Sequence, residues 1–276
     1  MNKKHIITSG CSYSDAGSDC WPKFIKDYYD FENELCGLDY IFDDLNIYNY
    51  GSCSRGSDYI SRTIISGCQK LIDRGVNVDD IFVLVGWSGM QRRDMLVNNE
   101  SKQMYYEFKD YEEDFSEVTY TKNLPIGMWQ AFNEKWSKFL PDEQSYILSM
   151  ENILRTQWYL ESNQIEYKFF SFVNIFDYHH YFDVWTDDYD LSKQVKINKI
   201  FPSIDYLFKM VDWNRWWFWK DYGGIGNWIL DNVKGGYNLE ELDGILGQNH
   251  PNKKGHMEFC EKVIVKFIKE WSNKND

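Results

Sequence analysis

The sequence predicts a three-layer α/β domain built on a mostly parallel central sheet and carrying two insertions. Three observations predict it. Short β-prone runs end abruptly in small-residue turns, helical apolar periodicity begins directly after such a turn, and one run is apolar without interruption, as in a strand covered by helices on both faces. A length of 276 residues suits one large domain, 1–276, with additions.

The elements follow in order. His5-Ile-Ile-Thr-Ser9 reads as a strand that ends in the turn Gly10 to Gly17. Leu45 to Tyr50 is a second strand, followed by the turn Gly51-Ser-Cys-Ser-Arg-Gly56. From Ser57, apolar residues at Ile60, Ile64, Ile65, Cys68 and Leu71 recur every three or four positions and predict an amphipathic helix. Asp79 to Gly86 is the continuous apolar run, and Trp87-Ser-Gly-Met closes it. Tyr146 to Leu160 is helical through Ile147, Met150, Ile153, Leu154, Trp158 and Leu160, and Glu166 to Val173 is the next strand. A last helix runs from Asn252, its cap, to about Trp271, with Cys260, Val263, Ile264, Phe267, Ile268 and Trp271 on one face. Strands alternating with helices imply right-handed parallel crossovers, which put the turns at one edge of the sheet, where such folds bind ligands. Segments of about 97–140 and 177–232 break the alternation and are expected as excursions near that edge.

Composition excludes several classes. The net charge is −13 and no block of basic residues occurs, so nucleic acid is not an expected partner. No run approaches a membrane span and the amino terminus has no signal-peptide pattern, so no membrane partner is expected and the cytoplasm of the producing cell is the expected location. Six cysteines without C-x-x-C spacing read as buried thiols, and no cofactor or structural metal is expected. His179-His180 invites a metal reading, but neighbouring histidines point apart and no carboxylate stands at ligand spacing. The acidic stretch Asp110 to Asp114 is a solvated face. Twelve tryptophans stand out, six of them in 177–232.

Four short blocks resemble, in order, those of the SGNH or GDSL-like hydrolases. Gly10-Cys11-Ser12 is similar to the first block, Gly-Asp-Ser, in the Gly-Cys-Ser form of phage and environmental relatives that a Trp-Pro follows, here Trp21-Pro22. Asn49 to Gly56 resembles the second block and Gly86-Trp87-Ser88-Gly89 the third, with Ser88 in place of the family's asparagine. Gly247-Gln248-Asn249-His250 resembles the fourth, Asp-x-x-His, without its aspartate. The resemblance implies a flavodoxin-like SGNH fold, Ser12 as nucleophile, His250 as base, and an oxyanion hole from the Ser12 and Gly56 amides with Ser88. Gly56 is preferred to Gly51 because it directly precedes the helix. The blocks span 10–256 and leave the two insertions unexplained.

The chemistry agrees with that assignment. A serine hydroxyl needs a base within reach, and an imidazole is the usual one. Ser88 offers a single hydrogen-bond donor where the family has an amide. Gln248, a backbone carbonyl or Asp243 could orient His250, so a Ser-His dyad is the conservative statement. His256, on the first turn of the last helix, reads as a packing or capping residue rather than a second base. Trp87, Trp213, Trp216 and Trp217 are candidates to stack on a sugar at the cleft mouth, with burial in a core as the competing use. The expected function is a serine esterase or acyl hydrolase acting on a small-molecule or glycan ester, with carbohydrate O-acetyl groups as the leading class. The alternative is a glycan-binding or virion-associated module that keeps the frame but has lost efficient catalysis, and acyl transfer is a third outcome.

Overall fold

The computed structural model describes residues 4–11, 14, 19–25, 45–52, 55–90, 92–98, 115–120, 142–177, 196–197, 200–237 and 250–274. The described residues form six strands: β1 (Lys4–Gly10), β2 (Leu45–Asn49), β3 (Ile81–Trp87), β4 (Arg93–Asn98), β5 (Phe115–Tyr120) and β6 (Glu166–Ser171). Four of them make an all-parallel sheet in the order β2-β1-β3-β6, and β4 pairs antiparallel with β5 in a sheet of two. Every residue of β3 is buried, which is why its sequence is an unbroken apolar run.

Side chains alternate across the sheet, and the register fixes which of them share a face. Ser9 pairs with Val85 and Val83 with Tyr167, so these share one face. It is covered by α1 (Ser57–Asp73), where Thr63 meets the Ser9 hydroxyl at 2.9 Å, and by α2 (Asp142–Ser162), whose Glu161 accepts a hydrogen bond from the Tyr167 hydroxyl at 3.0 Å. The opposite face carries Phe82 and Phe170. Phe82 stacks on Trp271 with centroids 5.1 Å apart, and Phe170 meets Phe259 edge-on at 6.1 Å. Helices therefore lie on both faces.

The helices α1 and α2 meet through small polar side chains as well as apolar ones. Ser57 donates to Ser149 at 2.9 Å, Thr156 to Ser61 at 2.8 Å, and Asn152 to Asp58 at 3.0 Å. The apolar positions expected of α1 are buried apart from a half-buried Ile65. In α2 the periodicity holds at Tyr146, Met150, Ile153, Leu154 and Leu160, but Trp158 is 48% exposed, on the far side of the buried arc from this seam and beside the exposed Glu151 and Arg155. The shorter helices α3 (Asp205–Met210) and α4 (Ile225–Asn232) follow β6.

The final helix begins as expected, with the Asn252 side chain accepting from the Gly255 amide at 3.1 Å. It is built as α5 (Lys253–Phe259), a π-helical stretch Cys260–Ile264, and α6 (Val265–Ser272). Gly255, Phe259, Val263, Phe267 and Trp271 are all buried, as are His256, Cys260, Ile264, Ile268 and Ser272. These are two rows at a strict spacing of four. A 3.6-residue helix drifts about 40° with each such step. The wider π turn takes back most of a residue's rotation and keeps both rows facing the sheet.

The two expected excursions differ from expectation where they are described. The first contains a β pair that begins earlier, at Arg93, and its acidic 110–114 stretch lies outside the described residues. The second, over 213–226, runs beside β6. Arg215 pairs with Glu166 at 2.6 Å near the start of β6, the Trp217 amide donates to the Phe169 carbonyl at 2.8 Å, and the Gly226 amide donates to Phe172 at 2.7 Å. An edge strand presents unpaired backbone groups, and this segment covers some of them.

Candidate functional site

The carboxyl ends of β1 and β3 lie side by side, with Gly10 paired to Gly86. Ser14 lies across both. A Cβ on Gly10 would lie 2.6 Å from the Ser14 hydroxyl, and one on Gly86 2.9 Å from it. The turn after β2 packs against the same residue, since a Cβ on Gly51 would fall 1.8 Å from the Ser14 carbonyl oxygen. Glycine is thus required by close approach. Ser14 is fully buried, its amide donates to the Cys11 carbonyl at 2.8 Å, and its hydroxyl accepts from the Trp21 indole at 3.0 Å. Ser12 lies outside the described residues, in the chain between Cys11 and Ser14.

The turn after β2 is tied down by Asn49, whose side-chain oxygen accepts from Thr8 and from the Gly51 amide, both at 2.9 Å. At its far end Gly56 precedes α1. The Gly56 amide, expected to face an oxyanion, donates instead to Asp94 at 2.9 Å, and the Tyr59 amide donates to the same carboxylate oxygen at 3.1 Å. Asp94, from β4, therefore caps the amino terminus of α1, where orphan amides and the helix dipole favour an anion. Arg92 packs close by, its carbonyl oxygen 2.5 Å from where a Gly56 Cβ would be.

Ser88 follows β3 and is 1% exposed. Its hydroxyl accepts from Nη1 of Arg92 at 3.3 Å. The Arg92 guanidinium is itself buried and lies 6.0 Å from the Phe172 ring. His250 stands near this cation. Burial, and secondly the positive charge of Arg92, push its pKa down to about 4, so the ring is neutral at pH 7. His256 is held neutral in the same way, at about 3, by burial and by the neighbouring His250. His256 is 3% exposed within the helix core, in keeping with a packing role.

The chain just after His250 is held by a short clamp. Pro251 forms an antiparallel bridge with Tyr237, the Asn252 amide donates to the Gly236 carbonyl at 2.9 Å, and the Asn252 side chain donates to Gly235 at 2.8 Å. Gly235 has a positive φ of 70°, a conformation that suits glycine. Asp243, Gly247, Gln248 and Asn249 lie outside the described residues.

Arg92 thus links Ser88 to Gly56 and acts electrostatically on His250, and it and Asp94 are residues that sequence reasoning missed. Arg92 carried a local signal, a cation four residues after Ser88. Asp94 carried none, since the amide that it caps lies 38 residues earlier. Of the candidate stacking tryptophans, Trp87 and Trp216 are buried. Trp87 is fully buried and edge-on to Phe169 at 5.4 Å, which leaves no face for a sugar. Trp216 is 6% exposed, its ring among Phe176, Trp213 and Phe218. Trp217 meets Phe259 at 5.4 Å, so it and Trp213 keep only partial exposure. The insertion buries its aromatics to dock on β6.

Cys11, Cys20, Cys68 and Cys260 are free and buried. Among the described residues no group of His, Cys, Asp or Glu is arranged to hold a metal ion, and His179-His180 lies outside them. Among the same residues no helix is long and apolar enough to cross a membrane. No protein-family model matches the chain, and no curated protein matches it.

Proposed function

We propose that this protein is a serine esterase of the SGNH, or GDSL-like, type, with carbohydrate O-acetyl groups as the substrate class to test first. The single observation that carries the reading is the pairing of the carboxyl ends of β1 and β3, which sets the strand before Ser12 beside the strand that leads to Ser88 and its partner Arg92, the cation whose charge acts on His250. The sheet order β2-β1-β3 supports a flavodoxin-like frame, in which the ligand site lies at the carboxyl ends of the strands.

In this mechanism the Ser12 oxygen attacks the ester carbon while His250 takes the hydroxyl proton. The tetrahedral intermediate expels the alcohol, which takes that proton from His250, and an acyl-Ser12 remains. Water then attacks with His250 again as base, releasing the acid and restoring Ser12. The oxyanion is met by the Ser12 amide and the Ser88 hydroxyl. The Gly56 amide contributes only if it exchanges Asp94 for substrate. His250 is the correct form for a base, since it is neutral at pH 7.

A second reading, a glycan-binding or virion-associated module, is favoured by one observation: the Gly56 amide is already bonded to Asp94. Fluorophosphonate labelling read by intact mass on wild type, Ser12→Ala and His250→Ala, with p-nitrophenyl acetate turnover, separates the two. Labelling and turnover that vanish in both variants support the esterase. A folded wild type that neither labels nor turns over refutes it and favours the binding module.

A further inference from the structure

We propose that Arg92 is a positioning residue that holds the Ser88 hydroxyl as a one-way hydrogen-bond donor toward the acyl oxygen of the substrate. The proposal rests on the esterase reading above and identifies what makes a serine serviceable where the resembled hydrolases have an asparagine.

A serine hydroxyl is a poor replacement for an amide donor because it rotates freely and can as easily accept as donate. Arginine removes that ambiguity. A guanidinium has donors only, so in the contact between Arg92 Nη1 and Ser88 Oγ the serine oxygen must accept. The Ser88 hydrogen is then directed elsewhere, and among the described residues no acceptor takes it. A buried donor with no acceptor among the described residues, at the end of a central strand, is what an oxyanion hole requires.

Arg92 is itself held in place. Its amide donates to the Gly89 carbonyl at 3.0 Å, which closes the turn after β3. Its carbonyl lies against Gly56, and its guanidinium lies by the Phe172 ring. The Arg92–Ser88 contact of 3.3 Å is at the long end for a charge-assisted bond and can shorten as charge develops. The same cation opposes an imidazolium at His250. Negative charge forming beside Ser88 offsets that opposition during the step in which His250 becomes protonated, so the arrangement favours the transition state over the resting enzyme.

The test is steady-state hydrolysis of p-nitrophenyl acetate by wild type, Arg92→Met, Arg92→Lys, Ser88→Ala and the Ser88→Ala/Arg92→Met double variant, with thermal unfolding measured on each. Arg92→Met is expected to lower kcat roughly 10- to 100-fold with KM within about twofold, and Arg92→Lys to recover part of the loss. The double variant is expected to be no slower than Ser88→Ala to within about threefold, because both changes remove one interaction. If Arg92→Met does not fold, Arg92→Lys and Arg92→Gln are compared instead, each with and without Ser88→Ala, and lysine must retain more kcat than glutamine only while Ser88 is present. An unchanged kcat in the Arg92 variants, or losses that multiply in the double variant, overturns the proposal and leaves the esterase standing. A wild type that neither turns over nor takes a fluorophosphonate overturns both.

Discussion

Replacing Asp94 by alanine tests the least anticipated contact near the site. One Asp94 carboxylate oxygen accepts the Gly56 and Tyr59 amides at the start of α1, and both bonds are buried. Losing a helix cap costs about 1 kcal/mol. Removing the negative charge at a helix amino terminus adds up to about 1 kcal/mol. Leaving two buried amides partly unsatisfied adds roughly another 1–2 kcal/mol. The sum is about 3 kcal/mol, or a drop in melting temperature of roughly 6–12 °C at the 2–4 °C per kcal/mol usual for chains approaching this size. Asp94→Asn keeps an acceptor and should lose only about 1 kcal/mol. The assay is urea unfolding at pH 7 followed by circular dichroism, with the midpoint falling and the slope unchanged. A loss below about 1 kcal/mol in Asp94→Ala, or equal losses in the two variants, would refute the capping argument.

Three further outcomes are expected. Gly51→Ala drives a methyl into the Ser14 backbone, so fluorophosphonate labelling should be lost or the protein should not accumulate in soluble form, and normal labelling of a soluble variant would contradict the close approach. Both His250 and His256 have folded-state pKa values below the unfolded value of about 6.5, at about 4 and about 3. The unfolded chain binds protons first, so their stabilisation is full above about pH 6.5 and is lost as pH falls through about 4 and then 3, and urea midpoints should show a shallower acid decline in His256→Gln than in wild type. Burial pushes the Cys68 thiol up to about 12, so iodoacetamide at pH 8 should leave Cys68 unmodified in the folded protein and modify it once urea unfolds the chain.

What the sequence disclosed were the elements whose signals are local. The β3 run, the Ile60 to Leu71 periodicity and the Asn252 cap each lie within a few residues of the structure that they specify. The turns were legible for the same reason, since Gly10, Gly51 and Gly86 mark close approach. Contacts made by distant segments were not. Asp94 reaches an amide across 38 residues, and nothing near either marks the pairing. The Trp217 amide joins β6 through Phe169, a contact invisible in an aromatic-rich stretch that reads equally as a sugar platform. Trp158 fits the helical period but faces water, because the face beside it is polar. Of the candidate site, the places of Ser88 after β3 and of Gly56 before α1 were legible, whereas Arg92 had to be seen against Ser88.

The π-helical stretch at 260–264 works as a phase coupler between two separately engaged halves of one rod. The half before it carries His256 and Phe259 under the site, and the half after it anchors Trp271 against Phe82 at the other end of the sheet. Winding 260–264 as a plain α-helix with every residue kept would rotate one half against the other by most of a residue's roughly 100°. Either the Trp271 anchor or the His256 end would then be misaligned. Substitutions on either side leave that phase intact. The terminal rod can therefore vary at its His256 end without loosening its Trp271 anchor, provided the π turn between the two is kept.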